Sequence, residues 1–264
     1  MTAAEEDLEA LKTPGRVTDH YNVGKEIGGG AFSSVREATH KKTGEKVAIK
    51  MCMKKHPSFS RDKLVTECKH MGALGSHVNI IELKGLYETT TTYDLVIEYT
   101  HGHELFDVVI QRAEARANGE DPRPYSEKEA AFIFRQAVAA THHCHTNGIL
   151  HRELSPENFL ASEDAAMDPL APIKLRNFKS AVECEAGSSV HTLPHGHPEY
   201  AAVEVVTKPY AGYGHPADVW SLGVILYVLV CGYPPFYGDS NADIIEMVQT
   251  AVIDFPDEEW SDGE

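Results

Sequence analysis

The sequence predicts an α+β fold in two lobes, and three observations carry that prediction. Glycine-punctuated, β-rich runs fill residues 21–53, and two further extended runs reach Tyr99. Beyond Gly102 the pattern turns helical, with the capping box Ser126-Glu-Lys-Glu129 opening an amphipathic run to about His145. The most hydrophobic stretch, Asp218–Cys231, has the length of a buried core helix, and Pro234 and Pro235 follow it.

In chain order, residues 1–17 read as a mobile acidic tail with at most a short helix, and the division expected is a flexible tail over 1–20. Three antiparallel strands follow: Tyr21–Ile27 onward, Gly30–His40, and Val47–Met53 after the turn K-K-T-G-E-K. Leu64, Cys68, Met71 and Leu74 share one helical face, which predicts a helix over Arg61–Leu74. Val78–Leu86 and Tyr93–Tyr99 supply two more strands, so the first lobe is a five-stranded sheet with one helix. From Phe106 to Ser126 the chain reads as helix and then surface loop. Ile173–Leu175 is a short strand, residues 177–204 are irregular, and Asn241–Val252 is a last helix.

The 264 residues are 42% hydrophobic and carry a formal net charge of −16. That charge opposes binding to nucleic acid or to anionic membrane. The five scattered cysteines make no CxxC pair and suggest a reducing compartment, so a cytoplasmic or nuclear location is expected. No basic-then-apolar leader opens the chain, and no apolar run is long enough to span a bilayer.

Three motifs carry chemistry. Gly28-Gly29-Gly30, with Ile27 before it and Val35 after it, lies between strands, where glycines let backbone N–H groups close over phosphate oxygens. A glycine hairpin of purely structural use is the competing explanation. Val47-Ala48-Ile49-Lys50 ends in a lysine suited to phosphate, and Glu67 on the following helix is its natural ion-pair partner. Leu150–Leu160 reads L-H-R-E-L-S-P-E-N-F-L, a polar, proline-interrupted segment between apolar blocks.

Together these motifs resemble the eukaryotic protein kinase domain over roughly residues 21–260. The likeness is strongest to calcium/calmodulin-dependent and calcium-dependent Ser/Thr kinases. That likeness rests on G-x-G-A-F-S-S-V, E-Y-T-H-G-H-E-L-F-D, T-N-G-I-L-H-R and D-V-W-S-L-G-V-I-L-Y-V-L-V-C-G-Y-P-P-F. The resemblance implies a bilobal kinase-like fold, with an N-lobe of about 21–98 and a C-lobe of about 101–264 that lacks its last helices. It implies ATP as the ligand. Val35, Ala48 and Leu160 would sandwich adenine, Ile97 would be the gatekeeper, Glu98 and Thr100 would offer hinge hydrogen bonds, and Glu104 would reach the ribose. Lys50, paired with Glu67, would contact phosphates.

The departures cluster at phosphoryl transfer. Glu153 stands where the family has its base Asp, displacing the oxygens by roughly 1 Å. Ser155 replaces the catalytic-loop lysine, and His197 replaces the threonine that this lysine contacts. The family's D-F-G reads Asn177-Phe178-Lys179, so the metal positions are Asn158 and a neutral Asn177. Mg2+ coordination is therefore expected to be degenerate. His151, Phe178, Met71 and Leu83 retain the family's regulatory spine, based on Asp218. The resulting expectation is an ATP-binding pseudokinase serving a protein partner as scaffold or allosteric regulator. The alternative is a weakly active Ser/Thr kinase acting on protein hydroxyls, and a second alternative is a nucleotide-independent binding module.

Overall fold

A computed structural model describes residues 8–100, 102–117, 124–162, 171–192 and 196–260. The chain divides into two units, Met1–His77 with Ile81–Thr100, and Val78–Ile80 with His101–Glu264.

The first unit is built on five antiparallel strands in the order β1-β2-β3-β5-β4. These are β1 (Tyr21–Gly30), β2 (Ser33–His40), β3 (Lys46–Met53), β4 (Leu83–Glu88) and β5 (Thr92–Glu98). The short helix α1 (Val17–His20) leads into β1, and α2 (Arg61–Leu74) follows β3. Ser60 caps α2 by accepting from Lys63 N, and Gly75, at φ +60°, ends it. The face of α2 that carries Leu64, Val65, Cys68, Met71 and Leu74 is buried, as its periodicity predicts.

Two expectations are corrected here. The fourth strand begins at Leu83 and not at Val78. Asn79 instead donates to Gln136 Oε1 (2.8 Å) and to the Ile173 carbonyl (3.0 Å), so Val78–Ile80 belong with the second unit. The acidic tail is also not mobile throughout. Residues 8–11 form a helical turn, Leu8 is fully buried, and Thr13 N–H donates to the Leu86 carbonyl at 2.7 Å. Charge dominates the composition of this segment, but two leucines three residues apart put one apolar face on it. Glu5, Glu6 and Asp7 lie outside the described residues.

The second unit is mainly helical. Its helices are α3 (Leu105–Ala117), α4 (Glu127–Thr146), α5 (Val203–Thr207), α6 (His215–Cys231), α7 (Asn241–Thr250) and α8 (Asp257–Trp260). The predicted capping box opens α4, with Ser126 Oγ accepting from Glu129 N and Ser126 N donating to the Glu129 carboxylate. Nearly every turn of α6 is buried, and Gly232, at φ +83°, stops it. A three-stranded sheet β6-β8-β9 joins Gly102–Glu104, Phe159–Ser162 and Ile173–Leu175. A two-stranded ribbon pairs β7 (Ile149–Leu150) with β10 (Val182–Glu183). These small sheets hold the segments 151–158 and 176–181 side by side. The surface loop expected before Ser126 falls largely on residues 118–123, outside the described set. No described helix is long and apolar enough to cross a membrane.

Candidate active site

In the first unit, the β1–β2 hairpin carries the glycine cluster. Gly28 faces Val35 across the ladder and Gly30 faces Ser33. Gly29 admits no side chain, because a Cβ there would come within 2.9 Å of the Ser33 carbonyl oxygen. Ile27, Gly28 and Gly30 are exposed and Val35 is half-buried. Ladder pairing sets Val35 opposite Lys50, and Ala48 opposite Ile97. One sheet thus brings together the residues assigned to phosphate and adenine in this unit.

Lys50 donates to both carboxylate oxygens of Glu67, at 2.7 and 2.8 Å. Burial works against the ammonium, but the Glu67 carboxylate outweighs it and raises the Lys50 pKa. Lys50 therefore stays a cation with its head fixed. Cys52 and Cys68 are buried beside this pair, and burial pushes their thiols up to about 11 and about 12. They are packing residues rather than nucleophiles. Glu98 N–H donates to the Glu82 carbonyl at 2.9 Å, and the Thr100 hydroxyl is buried without a partner among the described residues.

In the second unit, Asp218 organises the loop that follows β7. It is almost fully buried, and it accepts from His151 N (3.0 Å) and Arg152 N (2.9 Å). His145 Nε2 lies 2.8 Å from the same carboxylate. These bonds offset the cost of Arg152's left-handed backbone (φ +69°). His151 is fully buried, bonds the Arg176 carbonyl at 3.1 Å, and meets Phe178 edge to face at 5.0 Å. This is the His151–Phe178 contact of the expected spine, while Met71 and Leu83 lie in the first unit. Arg152 binds the Ser180 carbonyl at 2.5 Å, and also the Thr192 and Tyr213 hydroxyls.

Glu153, at the base position, is tightly held. Its Oε1 accepts from Ser180 Oγ at 2.7 Å, and its Oε2 accepts from Asn177 Nδ2 at 3.2 Å. Lys179 Nζ stands 3.6 Å from Oε2. A Cβ on Gly196 would meet Glu153 Cγ at 3.3 Å, so the extra methylene of Glu153 fills the space that this glycine leaves. Asn158 donates to the Glu153 carbonyl at 2.6 Å, and its Oδ1 accepts from Asn177 at 2.8 Å. Asn177 adopts a left-handed backbone (φ 70°), which Asn tolerates well.

Glu104 pairs with Leu160 in the β6–β8 register, and Arg176 engages its Oε1. Lys179, at the family's glycine position, lies 3.6 Å from Glu153 Oε2. Ser155 accepts weakly from Asn158 (3.4 Å), whereas the His197 imidazole is exposed beside Glu199 (3.7 Å). Among the described residues, no contact between Ser155 and His197 replaces the family's lysine–threonine contact. Arg176 and Ser180 were not singled out from sequence. Their partners lie 72 and 27 positions away, a separation that no periodicity marks. The only available signal was their adjacency to Asn177-Phe178-Lys179.

The donors near Glu153 are hard oxygens, the carboxylate and the amides of Asn158 and Asn177. Mg2+ accepts oxygen ligands of this kind while drawing most of its partners from phosphate and water. Asn158 and Asn177, whose amides meet at 2.8 Å, would be the residues to hold such a cation.

The protein kinase domain family matches residues 21–262. A probable myosin light chain kinase of Dictyostelium discoideum is 37% identical over 252 residues, covering 95% of this chain and 60% of that protein. A second, 40% identical over 255 residues, is covered to 74% of its length by 96% of this chain. Calcium-dependent protein kinase 2 of Oryza sativa is 37% identical over 242 residues, covering 91% of this chain and 44% of that protein. The chain thus spans well under two thirds of some curated relatives that it matches.

Proposed function

We propose a function from one premise: this chain belongs to the protein kinase domain family. It binds ATP and transfers the γ-phosphate, slowly, to serine or threonine hydroxyls of protein substrates. The observation that carries this reading is the formed Lys50–Glu67 pair, which holds the phosphate-binding cation in place before nucleotide arrives. That the relatives are named as kinases supports it over a pure scaffold, and family membership brings ATP and usually Mg2+ with it.

The slowness has a local cause. A positioned base contributes roughly 100- to 10,000-fold to such a step. Glu153 is in place to accept a hydroxyl proton, but its oxygens are engaged by Ser180, Asn177 and Lys179. An incoming hydroxyl competes with these internal donors for the carboxylate. Asn158 and Asn177 would hold Mg2+ as neutral ligands, so phosphate oxygens carry most of its coordination. When bound, the ion neutralises charge on the transferring group.

The second reading is a scaffold that binds nucleotide without transfer, and the same occupation of Glu153 favours it. Phosphate incorporation into a basic Ser/Thr peptide from radiolabelled ATP separates the two. Incorporation abolished by Lys50→Met supports the enzyme; none, with ATP still raising Tm, supports the scaffold. No Tm shift at millimolar ATP points to a nucleotide-independent module. A cytoplasmic or nuclear site of action accords with five cysteines of which none is in a disulfide.

A further inference from the structure

The segment 8–13, which precedes the family match, places Leu8 in the core of the first unit and packs Leu11 against it. Leu8 is fully buried in a cluster with Leu64, Val65 and Cys68 of α2 and with Cys52, Leu86, Tyr93 and Leu95 of the sheet. Leu11, one helical turn on, packs against the same cluster, and a Cβ at Gly72 of α2 would lie 3.7 Å from Leu11 Cδ2. The next two residues are fastened to β4. Thr13 N–H donates to the Leu86 carbonyl (2.7 Å), and Leu86 N–H donates to Thr13 Oγ1 (3.3 Å). Lys12 pairs with Glu88. Gly85 makes this approach possible, since a Cβ there would stand only 3.0 Å from Thr13 Oγ1.

The segment therefore ties the sheet to the helix by two different means. Polar bonds anchor it at β4, and two leucines wedge into the seam beside α2. That helix carries Glu67 next to Cys68, and Glu67 fixes Lys50. We propose that residues 8–13 act as a strap that sets α2, and that Leu8 and Leu11 are positioning residues for the Lys50–Glu67 pair. Loss of the strap lets α2 shift, separates Glu67 from Lys50, and weakens nucleotide binding by releasing the phosphate-binding cation. A protein or peptide that displaced the strap would lower ATP affinity by the same route.

The affinity arm of the test rests on the ATP-binding reading; the exchange arm does not. The full chain is compared with Leu8→Ala/Leu11→Ala and with the milder Thr13→Val, each with and without Glu67→Gln. Amide hydrogen exchange is followed over residues 61–74, and ATP·Mg2+ affinity is measured by calorimetry. The expected result is faster exchange across α2 and ATP binding about threefold to tenfold weaker. In the Glu67→Gln background the strap variants should weaken binding no further, because the coupling runs through that residue. Unchanged exchange in α2 overturns the strap. An equal loss of affinity in the Glu67→Gln background overturns its route through Glu67. If the parent chain fails to bind ATP, the functional reading falls, and the exchange arm still decides the strap. Should the double variant not fold, Thr13→Val carries the same comparison.

Discussion

Ser180 Oγ donates to Glu153 Oε1 at 2.7 Å, so the carboxylate at the base position already has a hydroxyl partner from its own chain. Ser180 is buried, and under the proposed function a substrate hydroxyl would compete with it for this carboxylate. Removing the hydroxyl should free one acceptor. Ser180→Ala is expected to raise kcat by up to about tenfold, the order of one charge-assisted hydrogen bond, with little change in KM for ATP. Steady-state kinetics on a peptide substrate check this, and a kcat that stays level or falls in a well-folded variant rejects the competition.

Asn177 offers a metal one neutral oxygen, and its amide nitrogen is spent on Asn158 and Glu153. Asn177→Asp replaces a donor with a charged acceptor. We expect Mg2+-dependent transfer to rise about tenfold, the equivalent of roughly 1.4 kcal/mol. A titration of rate against Mg2+ tests it. The new carboxylate faces Glu153, so Lys179, 3.6 Å from Glu153, becomes necessary to the gain. Lys179→Met should cancel the improvement in the double variant.

Asp218 is expected to matter more for stability than any residue that faces substrate. Asp218→Ala would leave the N–H groups of His151 and Arg152 unsatisfied in a buried setting. A loss of about 3 kcal/mol is expected in urea unfolding. A loss below about 1 kcal/mol would show that water readily replaces the carboxylate.

Acid should weaken the fold in two windows. Burial holds the His151 imidazole below its ordinary range, although Asp218 opposes it; burial and then the His145 charge lower His215 in the same sense. The unfolded chain titrates these groups near 6.5 and so takes up protons first. Stability is accordingly level above about pH 6.5 and declines below it. At Glu88 burial raises the pKa, but bonds from Lys12 and Lys54 outweigh it and lower it to about 2 from 4.5. Its contribution is present above 4.5 and fades as pH falls toward 2. Urea midpoints between pH 7.5 and 3.5 should show both declines, and a midpoint flat from 7.5 to 5.5 would contradict the first.

The fold was legible where local rules act alone. Glycine between β-rich runs, the Ser126–Glu129 box and the apolar length of α6 each determine their element without distant help. The Lys50–Glu67 pair was legible because a strand and the helix after it set the spacing. What escaped notice depends on long-range geometry. The docked segment at Leu8 looked like solvent-facing acidic chain because its charge hid two spaced leucines. Arg176 against Glu104, and Ser180 against Glu153, arise because β8–β9 and β7–β10 pairing draws remote segments together. The strand expected from Val78 failed for a similar reason, since Asn79 finds its partners in α4 and β9.

The Asp218 anchorage also bears on how such a chain can change over evolutionary time. The carboxylate grips main-chain N–H groups, which every residue but proline supplies, and it asks nothing of the side chain at position 153. The reactive positions can therefore drift while selection on folding continues to guard the scaffold. A lineage carrying this arrangement can set its chemistry aside, borrow the shape for another task, and later recover the reaction through few substitutions.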